Sequence, residues 1–111
     1  MIRVDTDVEE GVAVLQPQGR LTMVTAPQLR QVVAETVASG RPRIVVDLSA
    51  TEFLDSSGLG ALIAGLKTAR QGGGDLRIAC LGPQPATVLQ LTNLDRVLRP
   101  HASVAEALRV R

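Results

Sequence analysis

An acid, two hydroxyls and two glycines stand together in Leu54-Asp55-Ser56-Ser57-Gly58-Leu59-Gly60, where an apolar run gives way to a helical pattern. A serine at the head of a helix can accept a hydrogen bond from a backbone N–H two or three residues on, or it can stand free to take a phosphoryl group. Glycines at such a turn let something bulky approach the backbone. Ser56 is the first candidate for modification and Ser57 the second. Asp55, Gly58, Leu59 and Gly60 complete the turn and the helix start. Either hydroxyl can serve as the cap, and the residues alone do not decide which is left free.

A catalytic serine would need a base held by an acid. The chain has one histidine, His101, and no pattern brings it to Ser56. One cysteine and one histidine offer no metal-ligand spacing, and Gly72-Gly73-Gly74 lacks the Lys-Ser/Thr that completes a phosphate-binding loop. The expectation is a protein that is modified rather than one that catalyses, with no metal and no cofactor.

The elements that must position this turn follow from periodicity. Upstream, Arg43 to Leu48 reads as a strand, and its continuous Ile44-Val45-Val46 suits a central strand covered on both faces. Downstream, Leu59, Leu62, Ile63 and Leu66 fall at i, i+3, i+4 and i+7 and make one buried helical stripe. Ile2 to Thr6 and Val12 to Gln18 read as a hairpin joined by the acidic turn Asp7 to Gly11, with Pro17 marking a bulge or an open side. Thr25-Ala26-Pro27 opens a first helix with Leu29, Val32, Val33, Thr36 and Val37 on one face, and Gly40 stops it.

After the glycine turn, Leu76 to Leu81 alternates as a strand in which Cys80 packs as a small hydrophobe. Gly82-Pro83-Gln84-Pro85 opens a third helix through Thr92, Arg96 to Arg99 forms a last short strand before Pro100, and Ser103 with Glu106 has capping-box spacing for a helix over Val104 to Val110. The order β-β-α-β-α-β-α-β-α predicts an α/β fold. It has a mixed sheet of about five strands, its hairpin at the amino end, covered by about four helices.

With 111 residues, 45% of them apolar, one domain over 1–111 with one core is expected. A formal charge of +1 and no run of Lys and Arg make nucleic acid a poor partner. The amino terminus lacks the apolar stretch of a signal peptide, and Leu59 to Leu66 is too short to span a bilayer, so no membrane insertion is expected.

The central strand, the block Phe53 to Leu62, the glycine turn and a strand ending in Cys80 together resemble the STAS family, and within it the free-standing anti-sigma factor antagonists. Gly19-Arg20-Leu21 followed by Thr25-Ala26 and Leu29 adds a second matching block, and the resemblance covers essentially the whole chain. It implies a STAS-like fold, a cytoplasmic location and a phosphoacceptor at Ser56 with Asp55 beside it. It also implies partner switching. The unphosphorylated antagonist binds an anti-sigma factor that is itself a serine kinase of the histidine-kinase-like ATP-binding fold, which frees a sigma factor. Phosphorylation by that kinase ends the complex, and a serine phosphatase resets the antagonist.

Thr22, Met23, Val24 and Thr25, in the loop before the first helix, are candidates for the partner contact. Many antagonists carry an acidic residue where this chain has Thr22, which points to another partner or a weaker complex. With no Trp or Tyr, any docking surface must rely on Leu, Met, Val and backbone; Met23, Val24 and Leu59 are candidates for it and equally for the core. The same fold also occurs, by resemblance, as a subunit of lipid-transport ABC systems and as a scaffold in stress-signalling assemblies, where binding would be independent of phosphorylation. The doubled serine favours the regulator.

Overall fold

The computed structural model describes residues 1–7, 9 and 11–109. Val8 and Glu10 of the expected acidic turn, and Val110 at the end of the last expected helix, lie outside the described residues. Strands β1 (Ile2–Asp5) and β2 (Val12–Pro17) pair antiparallel from Ile2↔Pro17 to Asp5↔Val14, as the hairpin reading requires. β2 then pairs parallel with β4 (Arg43–Asp47), β4 with β6 (Asp75–Ala79), and β6 with the two-residue β7 (Pro100–His101). The resulting order, β1-β2-β4-β6-β7, puts Ile44-Val45-Val46 on the middle strand. α1 (Ala26–Ala38), α2 (Ser56–Gln71), α3 (Pro83–Leu91) and α4 (Val104–Arg109) complete the mixed α/β fold.

Alternation along the strands sorts the core into two layers. Ala13, Leu15, Ile44, Val46, Leu76 and Ile78 face one way and pack with Leu29 and Val33 of α1, Leu62 and Leu66 of α2, and Leu89 of α3. Val14, Val45 and Ala79 face the other way, onto Ala107 of α4 with Cys80, Val104 and Leu108 beside it. Each face of β4 is thereby covered, which is what a run of consecutive apolar residues in a strand demands. No helix among the described residues is long and apolar enough to cross a membrane.

Three local expectations are corrected. Two further strands, β3 (Gly19–Leu21) and β5 (Thr51–Leu54), form a separate two-stranded parallel sheet, each too short to show a period of its own. Pro17 does mark an open side of its strand: it lies beyond the last β2–β4 pair, Leu15↔Val46, so its missing N–H costs no ladder bond there, and a separate register shift falls in the small sheet, between Gly19 and Arg20. The last strand is not 96–99: Leu94–Arg96 is a 3-10 turn that drops Leu98 into the core, and pairing resumes only at Pro100 on the sheet edge. β6 stops at Ala79 rather than Leu81, because Cys80 takes the left-handed conformation (φ 61°) and turns the chain. The final helix starts as its capping box suggests, with the Glu106 N–H donating to Ser103 Oγ at 3.1 Å.

Burial, and next the nearby Asp47 carboxylate, push the Cys80 thiol above its ordinary value of 9.0. The folded chain therefore holds that proton more tightly than the unfolded chain does. The associated stability is complete below pH 9.0 and is lost as pH rises through the folded value. Urea midpoints should fall between pH 8 and pH 10.5 by more in the native chain than in Cys80→Ala, and an equal fall in both would contradict this. Alkylation of the native thiol at pH 9 should be slower than that of the urea-unfolded chain.

Candidate functional site

The small sheet exists at the point where the site is built. β3 and β5 end together at the pair Leu21↔Leu54, so the two chain segments that follow them emerge side by side and lead into α1 and α2. Asp55 joins those segments. Its N–H donates to the Leu21 carbonyl at 3.2 Å. Its Oδ1 accepts from the Gly58 N–H at 2.8 Å and its Oδ2 accepts from the Met23 N–H at 3.1 Å. One carboxylate thus caps α2 and anchors the loop before α1.

The capping role expected of a serine belongs to Asp55. Ser56 and Ser57 are the first two residues of α2, and no hydrogen bond from either hydroxyl is found among the described residues. Ser56 is exposed and Ser57 half-buried, so Ser56 is the more accessible of the two. Gly58 is forced by close packing: a Cβ there would run into the Leu21 carbonyl and come within 2.8 Å of Leu54 Cδ1. Leu59 is only 6% exposed and packs into the main core, which removes it from the candidate contacts.

The loop before α1 is held by its two threonines. Thr25 Oγ1 donates to the Arg20 carbonyl at 2.8 Å and accepts from the Thr22 N–H at 2.9 Å, so its hydroxyl closes the turn rather than capping the helix. Thr22 Oγ1 accepts from the Val24 N–H at 3.4 Å, and the Thr22 carbonyl takes the Ala26 N–H at 2.7 Å. Closing the turn this way pushes its two apolar side chains outward: Met23 is 71% exposed and Val24 83%. Contiguous exposed apolar side chains beside an anchored loop are what a docking surface presents.

Two positioning residues gave no sequence signal. Gln84, near the start of α3, accepts from the Leu54 N–H at 2.8 Å and donates to the Leu54 carbonyl at 3.0 Å, pairing with the free edge of β5 as a neighbouring strand would. Arg20 lays its guanidinium 4.6 Å from the Phe53 ring centroid across β3 and β5, a contact of about 0.5–1 kcal/mol when exposed. The structure also separates what the sequence left open. His101 sits in β7 with its Nδ1 3.6 Å from Glu106 of α4, the helix on the far face of the main sheet from α2.

The family model that matches this chain is that of the STAS domain, over residues 3–107. The chain belongs to the STAS domain family. A relative of this STAS domain is the anti-sigma-F factor antagonist RsfB of Mycobacterium tuberculosis, 34% identical over 100 residues that cover 88% of this chain and 80% of RsfB. An anti-sigma factor antagonist from Mycobacterium paratuberculosis superposes with a TM-score of 0.84 at 34% identity, over 97% of this chain and 90% of that one. SpoIIAA of Bacillus in its phosphorylated form shares the fold, with a TM-score of 0.75 and 22% identity over the full length of both chains.

Since the Asp55 carboxylate serves two donors, the STAS domain should lose about 1–2 kcal/mol of stability in Asp55→Ala, seen as a lower urea midpoint. Asp55→Asn keeps one acceptor oxygen and should fall between. In both variants the Met23 amide should exchange with solvent faster. Unchanged stability and unchanged Met23 exchange would show that the two bonds hold nothing in place.

Proposed function

We propose that this STAS domain is an anti-sigma factor antagonist that works by partner switching, with Ser56 as its phosphoacceptor. In the unphosphorylated state it binds an anti-sigma factor that is also a serine kinase of the histidine-kinase-like ATP-binding fold, and so releases a sigma factor. Phosphorylation of Ser56 ends the complex and a serine phosphatase restores it. This reading carries a cytoplasmic location and a regulatory rather than catalytic role.

The observation that supports it is the exposed, uncommitted hydroxyl of Ser56 at the head of α2, joined through Asp55 to the loop that displays Met23 and Val24. A kinase that docks on that loop has the serine hydroxyl within the same surface. Ser57, half-buried, is the less accessible of the two. The antagonist names of the relatives support the regulator over a lipid-transport subunit or a stress scaffold.

Phosphorylation would add about −1.5 to −2 charges and three acceptor oxygens at Ser56. The first turn of a helix tolerates such a group, with a gain of about 0.3–1 kcal/mol at an exposed site, offset in part by the Asp55 charge. The fold therefore need not rearrange. The cost falls on the partner, which meets a bulky hydrated dianion where it had met a small hydroxyl. Thr22, standing where many antagonists carry an acid, contributes turn geometry and no charge, so the apolar Met23-Val24 pair carries more of the contact.

Candidate anti-sigma kinases from the same genome, incubated with the chain and ATP, test the reading by intact mass. One phosphate should appear on the native chain and on Ser57→Ala but not on Ser56→Ala. No phosphate from any candidate would overturn the reading, and phosphate lost only in Ser57→Ala would move the site by one residue.

A further inference from the structure

Arg30 lies on the exposed side of α1 and reaches toward α2, where one of its guanidinium nitrogens comes to 3.4 Å from the place a Cβ would take on Gly60. Gly60 is four residues after Ser56, so the two share one face of α2 with Cβ positions about 5–6 Å apart. The guanidinium is then within about 9 Å of the Ser56 Cβ as it stands, and the flexible stem of an exposed arginine can cover that interval. Gly60 puts no side chain in the way. Among the described residues Arg30 forms no ion pair, whereas Arg43, Arg70 and Arg77 each have an acidic partner. The acid nearest to Ser56 in sequence is Asp55, and its two oxygens are already given to Gly58 and Met23.

We propose that Arg30 is the intramolecular receptor for the phosphate on Ser56, drawing it down over Gly60 against the α1–α2 seam. This rests on Ser56 as the phosphoacceptor and specifies what the modified state looks like. Guanidinium and phosphate match as a fork to two oxygens, a geometry that lysine cannot reproduce. The phosphate is thus fixed at the seam beside the Met23-Val24 loop instead of sweeping through solvent. Among the described residues Arg30 pairs with no carboxylate, so its anion would be supplied by the modified state. Arg30 acts on the phosphate's position and takes no part in its transfer.

The test uses chain with phosphoserine installed at position 56 during translation, so no kinase is needed. The phosphorus-31 resonance is followed against pH for the native background, Arg30→Ala, Arg30→Lys and Gly60→Leu. In the native background the second phosphate ionisation should lie below the value of about 6 for free phosphoserine. It should rise by about half a unit or more in Arg30→Ala, be partly restored in Arg30→Lys, and rise in Gly60→Leu, where a side chain blocks the approach. Coincident titration curves for the native background and Arg30→Ala would overturn the proposal. Because the phosphate is placed without a kinase, that result leaves Ser56 as a phosphoacceptor standing, and a failure of every kinase to modify Ser56 leaves the titration result standing.

Discussion

The site depends on two hydrogen bonds accepted by one side chain. The Asp55 carboxylate takes the Gly58 N–H at the head of α2 and the Met23 N–H in the loop before α1. Both segments reach it because β3 and β5 stop in register at Leu21 and Leu54, and because Gly58, having no Cβ, lets α2 start directly against the Leu21 carbonyl. An unsatisfied N–H at either place would cost the loop or the helix its geometry. Gln84 completes the arrangement from the other side by satisfying both peptide groups of Leu54.

A consequence is a division of labour between an acid and a hydroxyl that sit next to each other. Had a serine been the cap, its oxygen would have been tied to the backbone and turned away from a partner. With Asp55 as cap, Ser56 takes the first helical position and is exposed. The proposed switch then needs no conformational change: phosphate alters the charge and bulk of a surface whose backbone is already fixed. The same fixity keeps Met23 and Val24 exposed, since the Thr22 and Thr25 hydroxyls close the turn behind them.

Periodicity made the larger elements legible, because amphipathic stripes over α1 and α2 and an unbroken apolar run in β4 each allow one burial solution. The site was legible as a block of residue types, and less so in its roles. Ser56 and Ser57 are both good caps by type, and only the three-dimensional approach of Met23 shows why the aspartate wins. Leu59 fits a contact and a core position equally in sequence, and the α2 stripe takes it inward. β3, β5 and β7 are two to four residues long, too short for a clear alternation, and the Val97-Leu98 pair imitated a strand while following a 3-10 turn that puts Leu98 in the core. Gln84 and Arg30 act through partners about thirty residues away in sequence and carry no local signature.

In the proposed switch, charge at Ser56 governs partner binding on an otherwise unchanged surface. The most direct measurement is the affinity of the anti-sigma kinase for the chain with serine and with phosphoserine at position 56, together with the amide spectra of both forms. Phosphoserine should cost about a hundredfold in affinity, near 3 kcal/mol, with backbone resonances shifted only around the heads of α1 and α2. Equal affinity for the two forms would contradict it.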